Sequence, residues 1–171
     1  MRESIGGTWF FQLIIVFILL FVAYLALSIN YSKSFKVKNE IISFLEREEG
    51  LTNRTSPDKG ALQLINDFLV NSGYSATGEC DAGWVGVSSL EIGSSPEIVS
   101  NENNNLNKKF YYCVEKVIRD DNVGNYGRKT YYRVRTFFKF DLPVVGKFMV
   151  FKVDGVSDDV DYPCDKSVFG K

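Results

Sequence analysis

Trp9 to Ile29 reads WFFQLIIVFILLFVAYLALSI, and this stretch decides how the rest of the chain is read. Its one strongly polar member is Gln12, and it carries no charge. At 1.5 Å per residue, a helix of about 21 residues reaches across a bilayer core of roughly 30 Å. Trp9 marks one edge, and Tyr24 and Tyr31 lie toward the other, as interfacial aromatics do. A core helix of a soluble protein this long would show a polar stripe, and none is present. The stretch predicts a membrane-inserted helix. A cleaved secretory signal competes with that reading, because Ala26-Leu27-Ser28 offers a small-x-small site. Against it, the apolar core of such signals usually runs to about 7–15 residues.

Outward from the anchor, residues 1–7 form a short leader and residues 30–50 continue the helix past the membrane. Asn30 to Glu49 contains neither proline nor glycine. Tyr31, Phe35, Ile42 and Leu45 recur at helical spacing, with Val37, Ile41 and Phe44 as a neighbouring stripe. Gly50 supplies the stop. Arg2 and Glu3 lie on one flank of the span, and Lys33, Lys36 and Lys38 on the other. Counted by the positive-inside rule, the lysines would be cytoplasmic. Long domains cross regardless of flanking charge, so the count does not bind a domain of this size. These lysines suit a solvated polar face, or contact with anionic head groups.

Residues 51–171 predict one α+β domain. Ser56-Pro57-Asp58 fits the start of a second helix reaching Asn71, with Leu62, Ile65, Phe68 and Leu69 as its apolar face and Gly73 as its stop. Beyond Cys80 the period changes to two. Trp84, Val85 and Val87 suggest a short strand, and the Ser-, Asn- and Gly-rich run Gly93 to Asn107 an exposed loop. Lys109 to Arg119 and Thr130 to Asp141 read as an antiparallel hairpin. Phe110, Tyr112, Val114 and Ile118 share one face of the first strand. In the second, Tyr132, Val134, Phe138 and Phe140 oppose Arg133, Arg135 and Lys139. Leu142-Pro143 ends that strand, and Lys147 to Val153 forms another. The expected fold is a long N-terminal transmembrane helix continuing into an amphipathic helix, a second helix, then a three- to four-stranded antiparallel sheet.

The chemistry legible in the chain is sparse. With 20 basic and 21 acidic residues the net charge is −1, which gives no electrostatic reason to expect a nucleic-acid partner. Tyr131, Arg133 and Arg135 are explained by strand alternation alone. The absence of histidine removes the commonest general base and metal ligand. There is no P-loop, dinucleotide fingerprint, GxSxG or zinc spacing, so no cofactor, metal or catalytic site is assigned. Asp154, Asp158, Asp159, Asp161 and Asp165 lack the full calcium-loop pattern and read as a solvated acidic tail, with Asp154-Gly155 as a turn. Cys80, Cys113 and Cys164 allow at most one bridge among them, and three free thiols fit nearly as well.

Ser4-Ile5-Gly6-Gly7-Thr8-Trp9-Phe10-Phe11-Gln12 is a polar leader ending in glycine, followed directly by the apolar helix. It resembles a prepilin of the type IV pilin superfamily, most closely the TadE-like pseudopilins of tight-adherence pilus systems. The resemblance covers the leader and anchor, and loosely the strand, proline, strand order around Leu142-Pro143. It implies cleavage between Gly7 and Thr8 on the cytoplasmic face and a domain held outside the cell. Partners would be the lipid bilayer and other pilin-like or assembly-platform proteins. Two features depart from the family. The fifth mature residue is usually glutamate, and here it is Gln12, which can hydrogen-bond a neighbouring helix but offers no charge. TadE-like anchors often contain a proline, and this one does not. The expectation is a non-enzymatic minor pilin or pseudopilin-like subunit of a pilus or secretion machine. The alternative is a signal-anchored extracytoplasmic domain that binds an unknown ligand.

Overall fold

A computed structural model describes residues 3–52, 60–91, 96–100, 108–120, 128–140 and 149–161. Helix α1 runs unbroken from Glu3 to Arg47. Its 45 residues give a rod of about 67 Å. The buried stripe on its C-terminal part, Val37, Ile41 and Leu45, draws on both predicted stripes, while Ile42 and Phe44 are half-buried and Tyr31 and Phe35 stay exposed. The rod ends where the Gly50 N–H donates to the Leu45 carbonyl at 2.8 Å.

Helix α2 spans Ala61–Asn71 and buries Ala61, Leu62, Ile65, Asn66 and Leu69. Gly60 is its N-cap residue. The predicted start at Ser56-Pro57-Asp58 lies outside the described residues. Instead, Thr52 reaches the helix's open end. Its Oγ1 accepts from the Ala61 N–H at 3.1 Å and its carbonyl from Leu62 at 3.2 Å. At the other end Gly73 adopts φ 61°, a left-handed conformation that favours glycine. Its N–H meets the Val70 carbonyl and that of Tyr74 meets Leu69, each at 3.0 Å, closing a Schellman cap.

The sheet follows the order β2 (Ile98–Ser100), β1 (Val85–Val87), β3 (Tyr112–Asp120), β4 (Arg128–Phe140), β5 (Met149–Val156), all antiparallel. A short β6 (Val160–Asp161) continues along β4 beyond β5. Arg133 faces Val156 and Thr130 faces Val160, so three steps on β4 match four opposite. The extra residue is a bulge. Ser157 fills it, donating its N–H to the Tyr132 carbonyl and accepting the Tyr132 N–H on Oγ, both at 2.9 Å.

The sheet thus holds more strands than the sequence predicts. Ile98-Val99-Ser100, inside the run read as loop, pairs with β1, and a three-residue strand is too short to show a period. Asp154 and Gly155 sit inside β5 opposite Arg135 and Val134, not in a turn. Phe110 does not share the face of Tyr112. It bridges Gly78 two residues before β3 begins and packs on the opposite side.

Both helices cover one face of the sheet. Val37, Ile41 and Leu45 of α1, with Leu62, Ile65 and Leu69 of α2, pack on Val87, Tyr112, Val114, Tyr132 and Val134. The segment after α2 crosses to the other face, where Cys80, Trp84, Phe110, Cys113 and Phe137 form a second cluster. Gly86 allows this closure. A Cβ there would lie 2.3 Å from the Phe110 ring and 2.7 Å from the Cys80 sulfur.

A polar group at the centre of the main core lacks compensation among the described residues. Tyr112 is fully buried and its hydroxyl has no hydrogen-bond partner among the described residues. Burial without a partner raises its pKa. Because a lone buried hydroxyl carries its desolvation cost unrepaid, Tyr112→Phe is expected to stabilise the protein by about 1 kcal/mol. Urea unfolding in detergent should show a higher midpoint with an unchanged slope.

Candidate membrane anchor

The N-terminal part of α1 stands clear of the other described elements of the fold. Residues 7 to 22 are all exposed, including Trp9, Phe10, Phe11, Phe17, Leu20 and Phe21. The helix is long and apolar enough to cross a membrane. Every backbone group within it bonds along the helix, so the segment can lie in hydrocarbon without unsatisfied amides. Gly7, Thr8 and Gln12 all lie on this exposed part. Gly7 falls inside the helix, and a Cβ there would meet nothing within 4 Å. The leader and the span are therefore one helix from Glu3 onward.

The first fully buried residue at the junction with the head is Ser34. Its Oγ lies 3.2 Å from the Thr136 Oγ1, both groups buried. Lys33 Nζ donates to the Gly73 carbonyl at 3.2 Å. Lys38 is buried, with its ammonium 4.1 Å from the Phe35 ring centre. Beneath this junction the Tyr74 hydroxyl donates to the Phe137 carbonyl at 2.5 Å and accepts the Phe137 N–H at 2.8 Å. Burial raises the pKa of Tyr74, so it stays neutral and able to donate. A recess of about 240 Å³ lies here, lined by Asn30, Lys33, Ser34, Tyr74, Phe138 and Lys139 among others.

The opposite face of the sheet carries the remaining chemistry. Cys80 and Cys113 are joined as a disulfide, closing a separation of 33 residues. Cys164 lies outside the described residues. Arg135 corrects the sequence reading, which placed it on the solvent face with Arg133. Only 9% of it is exposed. Its guanidinium grips Asp154 through two bonds of 2.6 and 2.9 Å, also bonds Asp81, and lies 4.6 Å from the Trp84 ring. Lys152 adds a 3.3 Å contact to Asp81. Alternation places a side chain on a face, but cannot show that Trp84 and Asp81 will fold over it.

The aspartates read as a tail are likewise used. Asp159 pairs with Lys129 at 3.5 Å, the Asp158 N–H donates to Glu46 Oε1 at 2.8 Å, and Asp161 lies in β6. Asp165 falls outside the described residues. Arg133 does sit on the surface, 3.4 Å from Glu115. Among the described residues no group of three or more His, Cys, Asp or Glu could hold a metal ion. The sequence matches no known protein-family model and no curated protein, and the fold matches no solved structure.

Two outcomes follow from the Cys80 face. Removing the bridge with Cys80→Ser and Cys113→Ser should lower the unfolding free energy by about 4 kcal/mol, from the loop entropy returned to the unfolded chain. Urea titration of the paired proteins reads this directly. The Arg135 guanidinium, and then Lys152, hold the Asp81 carboxyl below its ordinary 3.8. A depressed carboxylate contributes stability above its unfolded value and loses it as pH falls through the folded one. Asp81→Asn should therefore destabilise at neutral pH, by less than about 1 kcal/mol because Asp81 is half exposed. The gap from the parent protein should close as the pH falls below 3.8.

Proposed function

We propose that the chain is a single-pass membrane-anchored subunit that works by assembly. Its N-terminus lies in the cytoplasm and its α+β head outside, and it resembles a minor pilin or pseudopilin of a pilus or secretion machine. One observation carries this reading. The fully exposed apolar segment and the buried stripe Val37, Ile41 and Leu45 belong to one uninterrupted helix. A rod fixed rigidly in its head can be held by lipid, and can equally pack against similar rods when subunits associate.

Two further features support it. The Cys80–Cys113 bridge suits an oxidising compartment, which for a domain of this kind lies outside the cytoplasm. Gln12 projects from the apolar surface, where a side-chain amide in hydrocarbon gains most from a partner helix. Within this reading Gly7 and Thr8 flank the processing site.

Intact-mass analysis of the protein extracted from its native membranes tests the proposal. The expected mature N-terminus is Thr8, and Gly7→Val should leave the leader attached. A chain that begins at Met1 would make it an unprocessed anchored binding domain and overturn the pilin-like reading. A chain that begins near Ile29 would make it a secreted protein and overturn the anchor as well.

A further inference from the structure

The head hangs on the flank of α1, so one rim of it comes level with the end of the apolar stretch. Tyr31 lies two residues beyond Ile29, about 3 Å along the helix, and Phe35 about 9 Å. The headgroup layer is roughly 5–8 Å deep on each side of a bilayer. Phe138 packs edge-on against Tyr31 with ring centres 5.9 Å apart, and Phe151 stacks on Phe138 at 4.9 Å. The head therefore already meets α1 within that layer.

The direction of the strands takes it further. Thr136 contacts Ser34, and Phe138 contacts Tyr31, so β4 descends toward the span as it runs. Phe138 pairs with Phe151 and Phe140 with Met149, so the start of β5 lies at the lower end. Met149 is two residues past Phe151 in that direction, about 7 Å nearer the span. Met149, Val150 and Phe151 are 50%, 44% and 38% exposed, three consecutive apolar residues at this end of the head, while Ile118 and Val156, also exposed, lie elsewhere, on β3 and at the far end of β5. Lys33 and Lys36 are exposed on α1 at the same level, and Lys139 neighbours the tip on β4. Among the described residues none of these three lysines makes an ion pair. Lys33 and Lys139 also line the 240 Å³ recess that begins at Asn30, the first residue after the apolar stretch.

We propose that the rim formed by Met149, Val150 and Phe151, with Lys33, Lys36 and Lys139, docks on the bilayer that holds the anchor. The apolar tip enters the boundary between acyl chains and head groups, and the lysines meet anionic head groups. The inference rests on the membrane-anchor reading of α1. Its consequence is a head that lies against the membrane surface in a fixed orientation until the helix leaves the lipid.

The test uses the full-length chain with Cys164→Ser, which spares the Cys80–Cys113 bridge. Single cysteines at Phe17, Met149 and Asp158 carry an environment-sensitive fluorophore. The protein is reconstituted in phosphatidylcholine vesicles with or without phosphatidylglycerol, and quenchers are placed on the lipid chains. Asp158 is the distal control, since its N–H bonds Glu46, 17 residues (46 − 29) beyond the apolar stretch. Lipid quenching is expected at Phe17 and Met149 and not at Asp158. Replacing Lys33, Lys36 and Lys139 by glutamine should lower the docked-to-free ratio about fivefold per lysine in phosphatidylglycerol vesicles. It should change little in phosphatidylcholine alone. Quenching at Phe17 without Met149 would overturn the docking and leave the anchor standing. No quenching at Phe17 would overturn the anchor reading itself. Equal quenching at Met149 and Asp158 would show indiscriminate adsorption, and would also overturn the docked rim.

Discussion

The structure depends on one helix that carries an exposed apolar segment and a buried stripe without a break. Backbone hydrogen bonds in α1 are internal, so nothing in the main chain changes where the surroundings change. Only the side chains switch. From Trp9 to Ile29 they are apolar on every side apart from Gln12 and Ser28. From Ser34 the helix buries one stripe, Ser34, Val37, Lys38, Ile41 and Leu45, flanked by the half-buried Ile42 and Phe44, and turns its other side to solvent. The sheet and α2 are built onto that stripe, and the head cannot separate from the rod without exposing its main core.

Packing both helices on one face leaves the other face of the sheet to be closed by different means. The segment from Ala76 to Trp84 supplies that cover, with Phe110 and Phe137 beneath it and the Cys80–Cys113 bridge tying it down. The cluster is small, so its hydrophobic contribution is modest and a covalent link has more to add. Arg135 extends the cover. Its guanidinium lies over the Trp84 ring and its charge is met by Asp154 and Asp81, which lets an arginine be nearly buried at acceptable cost.

The same geometry organises the functional reading. A rod carrying its head on one flank presents a bare apolar helix on one side of a boundary and a folded domain directly against the other. On the proposed function, lipid and neighbouring helices compete for the same bare surface, because neither offers it a hydrophobic driving force over the other. What decides between them is close packing and the occasional polar contact, and Gln12 is the one strongly polar residue available in that surface.

The sequence by itself determined the elements whose signal is local and long. A largely apolar stretch of 21 residues, a proline-free helical continuation, the 3.6-residue stripe of α2 and the alternation of β4 each follow from side-chain order along one element. The glycine stops at Gly50 and Gly73 were legible for the same reason. Only the tertiary structure decided what depends on residues far apart in the chain. Cys80 meets Cys113, Asp81 and Trp84 close over Arg135, Thr52 caps α2, and Ile98 to Ser100 becomes a strand because β1 lies beside it. Periodicity states which face a side chain takes. It carries no information about what will cover that face, and burial, charge pairing and disulfide choice are all set by the cover.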